Sequence, residues 1–186
     1  MNVPALRPLY LVRHCRATGQ APGALLTPAG EAQAVALADL LAPLGITSIV
    51  SSPYARATAS IAPLAARLGI PVETDDRLVE RVLSPVPLPE WRAHLATSFD
   101  DPDYHLAGGE SSRAAATRGI AALGDAHNHP GGATVVVTHG NLLALLLRHF
   151  DARVGFGTWE TLSNPDVYRV VKEPNQPIAR LWTLNE

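Results

Sequence analysis

The feature that most constrains the fold is an apolar run of strand length, Leu9 to Val12, which ends abruptly in Arg13 and His14. The chain then passes into Ala, Thr and Gly, a composition typical of a loop. A cation and an imidazole therefore stand at the carboxyl end of a predicted strand. Ligands of open α/β sheets bind at this edge, because the loops that leave it form a crevice. We expect the reactive centre between Leu9 and Gln20.

Two further segments repeat this arrangement. Ile46 to Ser51, which contains β-branched residues, reads as a strand and precedes a predicted helix from Tyr54 to Leu68, with Arg56 in its first turn. The Val-rich run Ala133 to Thr138 is typical of a buried strand in a parallel sheet, and it ends in His139. If the three strands are neighbours, two imidazoles and two guanidiniums converge on one crevice.

Strands alternate with helices along the whole chain. Two of the helices are predicted to begin with a capping hydroxyl followed by proline, at Thr27-Pro28 and Ser52-Pro53. The alternation implies right-handed crossovers, and so predicts one α/β domain over residues 1–186, a three-layer α/β/α sandwich with a mostly parallel central sheet. Prolines and an acidic cluster predict an insertion or lid at about residues 83–107, with one short helix between irregular loops.

The composition limits the partners. A net charge of −2 and a pI near 6.4 give no general attraction to nucleic acid or an anionic membrane, so neither is expected as a partner. No apolar signal-peptide core begins the sequence, and the aliphatic stretch Leu142 to Leu147 is too short to span a bilayer, so a cytoplasmic location is expected. One cysteine, Cys15, excludes an internal disulfide and an all-cysteine metal site.

The converging side chains suit phosphoryl transfer to or from a small phosphorylated molecule. Arginine forks donate paired hydrogen bonds to phosphate oxygens. A neutral histidine can attack phosphorus at pH 7 without first losing a proton, which makes His14 the predicted nucleophile, whereas His139 is better placed to donate to the transferring group. The acid for the leaving oxygen is predicted to be Glu80, with Glu110 as the second candidate.

Five segments, taken in order along the chain, carry a resemblance to a known family: Leu11-Val12-Arg13-His14, Leu26 to Ala34, Ser51 to Ala59, Gly109-Glu110-Ser111 and Val137-Thr138-His139-Gly140. In these segments and in their order the chain resembles the histidine phosphatase superfamily, which has a phosphoglycerate-mutase-like fold. The resemblance implies that His14 becomes a phosphohistidine, that Arg13, Arg56 and His139 form the phosphate pocket, and that Glu80 is the proton donor. It also implies a metal-independent phosphomonoesterase without a cofactor.

Two positions depart from the family's pattern. Cys15 stands where the family usually has Gly, which puts a Cβ where the backbone is expected to pass close to substrate. Gln20 stands where the family usually has an Asn that contacts phosphate. It keeps the amide, one methylene further out, and is a predicted phosphate ligand.

Three other functions stay open at this point. A phosphoglycerate-type mutase would return the phosphoryl group to an acceptor hydroxyl, although mutase relatives carry larger insertions over the site. A non-catalytic phospholigand-binding module would fit the departures at Cys15 and Gln20. A cysteine-dependent phosphatase would use the Cys15 thiolate, but such enzymes place an arginine six positions later, where this chain has Ala21.

Overall fold

The computed structural model describes residues 7–171 and 178–182. Within these ranges six strands form one sheet in the order β3-β2-β4-β1-β5-β6. The strands are β1 (Leu9–Arg13), β2 (Ile46–Ser51), β3 (Val72–Thr74), β4 (Ala133–Thr138), β5 (Asp166–Val170) and β6 (Ala179–Arg180). The helices are α1 (Pro28–Leu41), α2 (Ala55–Leu68), α3 (Trp91–Asp100), α4 (Ser112–Asn128), α5 (Gly140–Phe150) and α6 (Phe156–Glu160), with 3-10 turns at Ala42–Leu44 and Asp76–Leu78.

The sheet is mostly parallel, as predicted. Strand β4 pairs in parallel with both β1 and β2, and β2 pairs in parallel with β3, whereas β5 runs antiparallel to its neighbours β1 and β6. In the register, Arg13 lies opposite Thr138 and Ser51 lies opposite Val137, so the three strands end at one edge. This confirms that the three strands followed by the predicted site residues are neighbours.

Helices cover both faces of the sheet. Successive side chains of a central strand point to opposite sides, so each face carries apolar residues that a layer of helices buries. On one face, Leu9 and Leu11 pack in a cluster with α4 and α5. On the other, Tyr10 and Val12 pack with α1 and α2. The predicted three-layer α/β/α sandwich is therefore confirmed. No helix of the part that the structure describes has the length and apolar character needed to cross a membrane.

The predicted helix starts have different outcomes. Thr27 caps α1, since its hydroxyl accepts from Gly30 N. The prediction for Ser52 is wrong: the N-cap position of α2 belongs to Tyr54, which makes no side-chain capping bond. Pro53 and Tyr54 form a bend before α2 begins, and the Ser52 hydroxyl accepts from Tyr54 N at 3.3 Å and also makes a contact in the site described below.

The region after α5 also differs from the prediction. Helix α6 was not predicted; at five residues it is too short to give a helical period in the sequence. The strand predicted from Val167 to Val171 is β5, shifted by one residue. Of the strand predicted from Ile178 to Leu184, the structure has β6 at Ala179–Arg180, and residues 183–184 lie outside the described ranges.

Candidate active site

His14, directly after β1, is held in one tautomer. Its Nδ1 lies 2.7 Å from the Cys15 carbonyl oxygen and therefore carries the hydrogen, while its Nε2 accepts from Arg56 Nε at 3.1 Å. Burial lowers the pKa of His14 to about 4, helped by the charges of Arg56 and Arg13 and opposed by the bond to Cys15. The imidazole is neutral at pH 7, with its reactive lone pair on Nε2.

Arg56 connects the two imidazoles. It lies in the first turn of α2, 1% exposed, and its Nη2 donates to His139 Nδ1 at 3.1 Å. Its Nη1 donates to the carbonyl oxygens of Gln20 and Ala21 at 3.0 and 2.9 Å. Because a guanidinium only donates, the ring nitrogens that face it must both be acceptors. Arg56 thus fixes the orientation of His14, His139 and the loop after β1 together.

His139 is fully buried at the end of β4, with its ring centroid 5.1 Å from that of His14. Since its Nδ1 accepts from Arg56, its Nε2 carries the hydrogen and donates to Ser52 Oγ at 2.8 Å. Burial, followed by the neighbouring His14 and arginines, lowers the pKa of His139 to about 2. His139 is therefore a neutral ring beside the nucleophile, and its donation to a phosphoryl group stays a prediction.

Arg13 lies against the start of α5. Its Nη1 donates to the carbonyl oxygens of Leu162 and Ser163, at 3.0 and 3.3 Å, in a loop that the sequence did not connect with the site. A Cβ at position 140 would lie 3.0 Å from Arg13 Cζ, so Gly140 is what permits this close approach. The close approach of Arg13 therefore explains sterically why a glycine follows His139.

The Glu80 carboxylate sits at the N-terminus of α5. Oε2 accepts from Asn141 N at 3.0 Å, while Oε1 accepts from Leu142 N at 3.0 Å and from Arg81 N at 2.9 Å. These are among the backbone donors that a helix leaves unpaired in its first turn. Glu80 lines the same cavity as Arg13 and Arg56.

Glu110 has a different environment. Both of its carboxylate oxygens are bound by Arg118 of α4, at 2.7 and 2.8 Å. Arg118 also donates to the backbone carbonyls of Arg77 and Val79. Glu110 is absent from the lining of the cavity that contains Glu80. This contrast favours Glu80 over Glu110 as the acid.

The two positions that depart from the family's pattern lie in different environments. Gln20 is exposed at the cavity, and its backbone carbonyl accepts a hydrogen bond from Arg56. Phosphate binding by its side-chain amide stays a prediction. Cys15 is fully buried in the core cluster under α1 and α2, and its amide donates to Ser60 Oγ at 2.8 Å. Burial raises the pKa of the Cys15 thiol to about 11, which argues against a thiolate nucleophile.

Three residues of the site were missed at the sequence level. Ser52 holds His139, and its position before a proline resembled a helix cap. Tyr54 places its ring 5.0 Å from that of His139 and 4.9 Å from the Arg56 Cζ. Asn141 is buried at the cavity, and its amide has no hydrogen-bond partner among the described residues. Its place directly after His139-Gly140 was the available signal.

A cavity of about 550 Å³ is lined by Arg13, Arg56 and Glu80, whereas the imidazoles of His14 and His139 are hydrogen-bonded to Arg56 and do not belong to its lining. The cavity also has an apolar part, and most of the apolar side chains that line it come from residues 82–95. Among the described residues, no group of three or more His, Cys, Asp or Glu side chains is arranged to hold a metal ion. The cavity is lined by Arg13, Gln20, Tyr54, Arg56, Glu80, Arg81, Val82, Leu83, Ser84, Val86, Leu88, Trp91, Leu95, Gly140, Asn141 and Trp159.

Known proteins share both the sequence pattern and the fold. The family model of the histidine phosphatase superfamily (branch 1) matches residues 9–185. A probable phosphoglycerate mutase, GpmB of Salmonella paratyphi B, is 29% identical over 95% of this chain and 90% of its own. The solved structure of the mycobacterial glucosyl-3-phosphoglycerate phosphatase Rv2419c has a TM-score of 0.70 at 25% identity, covering 88% of this chain and 89% of that one.

A shorter match is higher in identity. The uncharacterized protein Rv0525 of Mycobacterium tuberculosis is 47% identical over 62 residues, which are 33% of this chain and 31% of that protein. The matched part thus spans about a third of that relative's length.

Proposed function

This chain belongs to the histidine phosphatase superfamily, and from that premise we propose that it hydrolyses a small phosphomonoester through a phosphohistidine on His14. The observation that carries the proposal is the tautomer of His14. With Nδ1–H bonded to the Cys15 carbonyl, the lone pair of Nε2 faces Arg56, which itself lines the cavity, and the lowered pKa keeps it unprotonated at pH 7.

In the first step, His14 Nε2 attacks phosphorus as the ester bond from phosphorus to oxygen breaks. The N–H groups of Arg56 turn from the imidazoles to the phosphoryl oxygens, and Arg13 supplies the second positive charge. The bonding pair leaves with the alcohol oxygen, which takes the proton of Glu80, so Glu80 enters this step as the carboxylic acid and leaves it as the carboxylate. The products of this step are the free alcohol and a phosphohistidine.

In the second step, the Glu80 carboxylate takes a proton from water, and the water oxygen attacks phosphorus in line with Nε2. The bond from phosphorus to nitrogen breaks, its electron pair returns to Nε2, and inorganic phosphate leaves. One ester and one water thus give one alcohol and one phosphate. The guanidiniums carry the positive charge that a metal provides elsewhere, so metal independence is part of the proposal.

A mutase is the second candidate, because GpmB, which matches over most of its length, is called a probable phosphoglycerate mutase. A mutase must keep its phosphohistidine away from water until an acceptor hydroxyl arrives. The two functions differ in the product: inorganic phosphate for hydrolysis, and a second phosphoester for transfer.

The test is phosphate release from 4-nitrophenyl phosphate in the presence of EDTA, with the wild type and His14→Ala. We expect release by the wild type and a loss of at least about 10³-fold in the variant. Acid-labile, alkali-stable label on the protein after mixing with ³²P-labelled ester is the expected sign of the phosphohistidine. His105→Ala, which removes an exposed histidine of the lid segment, is the matched control and keeps wild-type turnover.

Each alternative gives its own result. Transfer to an added acceptor without phosphate release indicates the mutase. Binding of phosphate without turnover in either protein indicates the non-catalytic module. Equal turnover by wild type and His14→Ala contradicts the proposed nucleophile. A cytoplasmic location stays a prediction.

A further inference from the structure

The cavity has a charged side, which we call the floor, and an apolar side, which we call the wall. The floor consists of Arg13, Arg56 and Glu80, together with the imidazoles of His14 and His139 that are hydrogen-bonded to Arg56. The wall constrains the substrate. Resting on the proposed hydrolysis, we infer that the leaving group is an uncharged, apolar alkyl or arylalkyl alcohol. The substrates are then monoesters with one phosphate and no second anionic group. This separates the chain from catalysts of phosphorylated sugar acids, the type of substrate after which GpmB and Rv2419c are named.

The wall consists of apolar side chains that water reaches. Five large hydrophobic side chains are exposed among the described residues, and three of them, Val82, Val86 and Trp91, line this one cavity, at 44%, 63% and 42% exposure. Contiguous exposed apolar surface is costly in water and marks binding sites. The rest of the wall is Leu83, Leu88, Leu95 and Trp159.

Two tryptophans give the wall a rigid flat part. Trp91 begins α3 and Trp159 belongs to α6, and their rings meet edge to face with centroids 5.8 Å apart. Trp159 in turn stacks on Phe156 at 5.4 Å. Aromatic rings held in this way offer apolar contact area without the entropy cost of ordering flexible side chains.

The cations near the wall are already committed. Arg81 lines the cavity, but its Nε donates to the Glu110 carbonyl and its Nη1 to the hydroxyls of Ser98 and Ser112. Its remaining Nη2 is inaccessible to solvent and has no hydrogen-bond partner among the described residues. Arg92, which lies over the two tryptophan rings, is paired with Glu160. A carboxylate on the leaving group would therefore be desolvated without an ion-pair partner.

The position of the wall ties it to the leaving group. In the proposed reaction His14 and Arg56 receive the phosphoryl group, and Arg56 and Glu80 line the same cavity as the apolar side chains of the wall. An in-line displacement puts the leaving oxygen opposite the nucleophile. The alcohol thus extends away from the floor and onto Val86 and Trp91.

The test compares kcat/KM for esters of aliphatic alcohols, so that leaving-group acidity is similar: hexyl phosphate and 2-phenylethyl phosphate against glycerol 1-phosphate and 3-phosphoglycerate. We expect the first pair to exceed the second at least tenfold, about what burial of a few methylenes provides. Trp91→Ala should lower kcat/KM about five- to tenfold for the apolar pair and less than about twofold for glycerol 1-phosphate. Val86→Lys should lower it for hexyl phosphate and raise it about tenfold for 3-phosphoglycerate.

Val35→Ala is the control, since Val35 is an exposed valine of α1, on the opposite face of the sheet from α3, and it should change no value. Thermal unfolding of each variant verifies that it is folded. The inference is overturned, with the proposed hydrolysis intact, if 3-phosphoglycerate is cleaved as well as hexyl phosphate or if Trp91→Ala affects all four esters equally. If neither these esters nor 4-nitrophenyl phosphate releases phosphate, the proposed hydrolysis itself fails, and the inference with it.

Discussion

The floor and the wall of the cavity are built by different means. The floor is made of side chains at the ends of β1 and β4 and in the first turn of α2, and these are locked by hydrogen bonds between His14, Arg56 and His139. The wall comes from an irregular segment and two short helices, and its side chains meet through apolar contacts such as that between the rings of Trp91 and Trp159. The comparison teaches that chemistry and selectivity are separable here: changes in the floor should affect every ester, and changes in the wall only some.

The largest effect is expected at Arg56. Arg56→Lys keeps the charge but loses the planar fork that reaches both imidazoles and the Gln20 and Ala21 carbonyls. We expect kcat/KM to fall at least about 10³-fold for apolar and polar esters alike. The free energy of unfolding should fall by about 3 kcal/mol, because buried acceptors lose their donors.

Arg92→Lys is the counterpart on the wall side. Arg92 lies over the tryptophan rings and is solvent-exposed, so we expect kcat/KM to change less than about threefold and stability by about 0.5 kcal/mol. Steady-state kinetics on hexyl phosphate and glycerol 1-phosphate check both variants. Similar losses in the two would show that floor and wall are not separable.

The same division decides what the sequence could predict. Arg13, His14, Arg56 and His139 were accessible because a polar residue that ends a buried apolar strand is conspicuous, and parallel strands bring such ends to one edge. The wall was not accessible. Val86 lies in a segment without a helical or strand period, and Trp159 in a helix of one turn, so nothing local indicates which way either side chain faces.

The second largest effect is expected at Glu80. Glu80→Gln removes the proton that the leaving alcohol needs, so kcat/KM for 2-phenylethyl phosphate should fall about 10²- to 10³-fold. With 4-nitrophenyl phosphate the first step needs no acid, because nitrophenolate leaves without a proton. The second step is still slowed, because the variant has no base to take a proton from water. Rapid mixing of the variant with 4-nitrophenyl phosphate should therefore give a burst of one nitrophenolate per protein, followed by slow turnover.

Glu110→Gln is the matched carboxylate. It weakens the bidentate pair with Arg118 and should cost about 1 kcal/mol of stability while kcat/KM stays within about twofold. If Glu110→Gln gave the burst and Glu80→Gln left turnover intact, the two roles would be exchanged. The acid would then lie just before α4, outside the cavity that joins floor to wall.

The buried imidazoles of the floor should also set the acid sensitivity of the fold. The pKa values of His14 and His139 are about 4 and about 2, against an ordinary 6.5, so below pH 6.5 the unfolded chain binds more protons than the folded one. The free energy of unfolding therefore falls as the pH drops from 6.5 towards 4, by about 3 kcal/mol at pH 4 for each ring.

His139→Gln isolates one of these contributions. The amide keeps hydrogen-bonding capacity towards Arg56 and Ser52 but does not take up a proton. Urea unfolding at pH 7 and pH 4 should show a stability loss about 3 kcal/mol smaller in this variant than in the wild type. The exposed residue His105, changed to Ala, should leave the pH dependence unaltered. Equal losses in all three proteins would show that burial does not weaken proton binding by His139.

The smallest effect is expected at Cys15, which adjoins the nucleophile in sequence but belongs to neither floor nor wall. Its side chain is fully buried among core residues under α1 and α2, and its link to the site is the backbone carbonyl that holds His14 Nδ1. Cys15→Ala keeps that carbonyl, so kcat/KM should stay within about twofold, with about 1 kcal/mol of stability lost from the core. Burial raises the pKa of the thiol to about 11, so iodoacetamide at pH 8 should label the folded protein only through unfolding. Rapid labelling that abolishes turnover would mean that the thiol faces substrate. Cys15 would then belong to the floor, beside the hydrogen-bonded group of His14, Arg56 and His139.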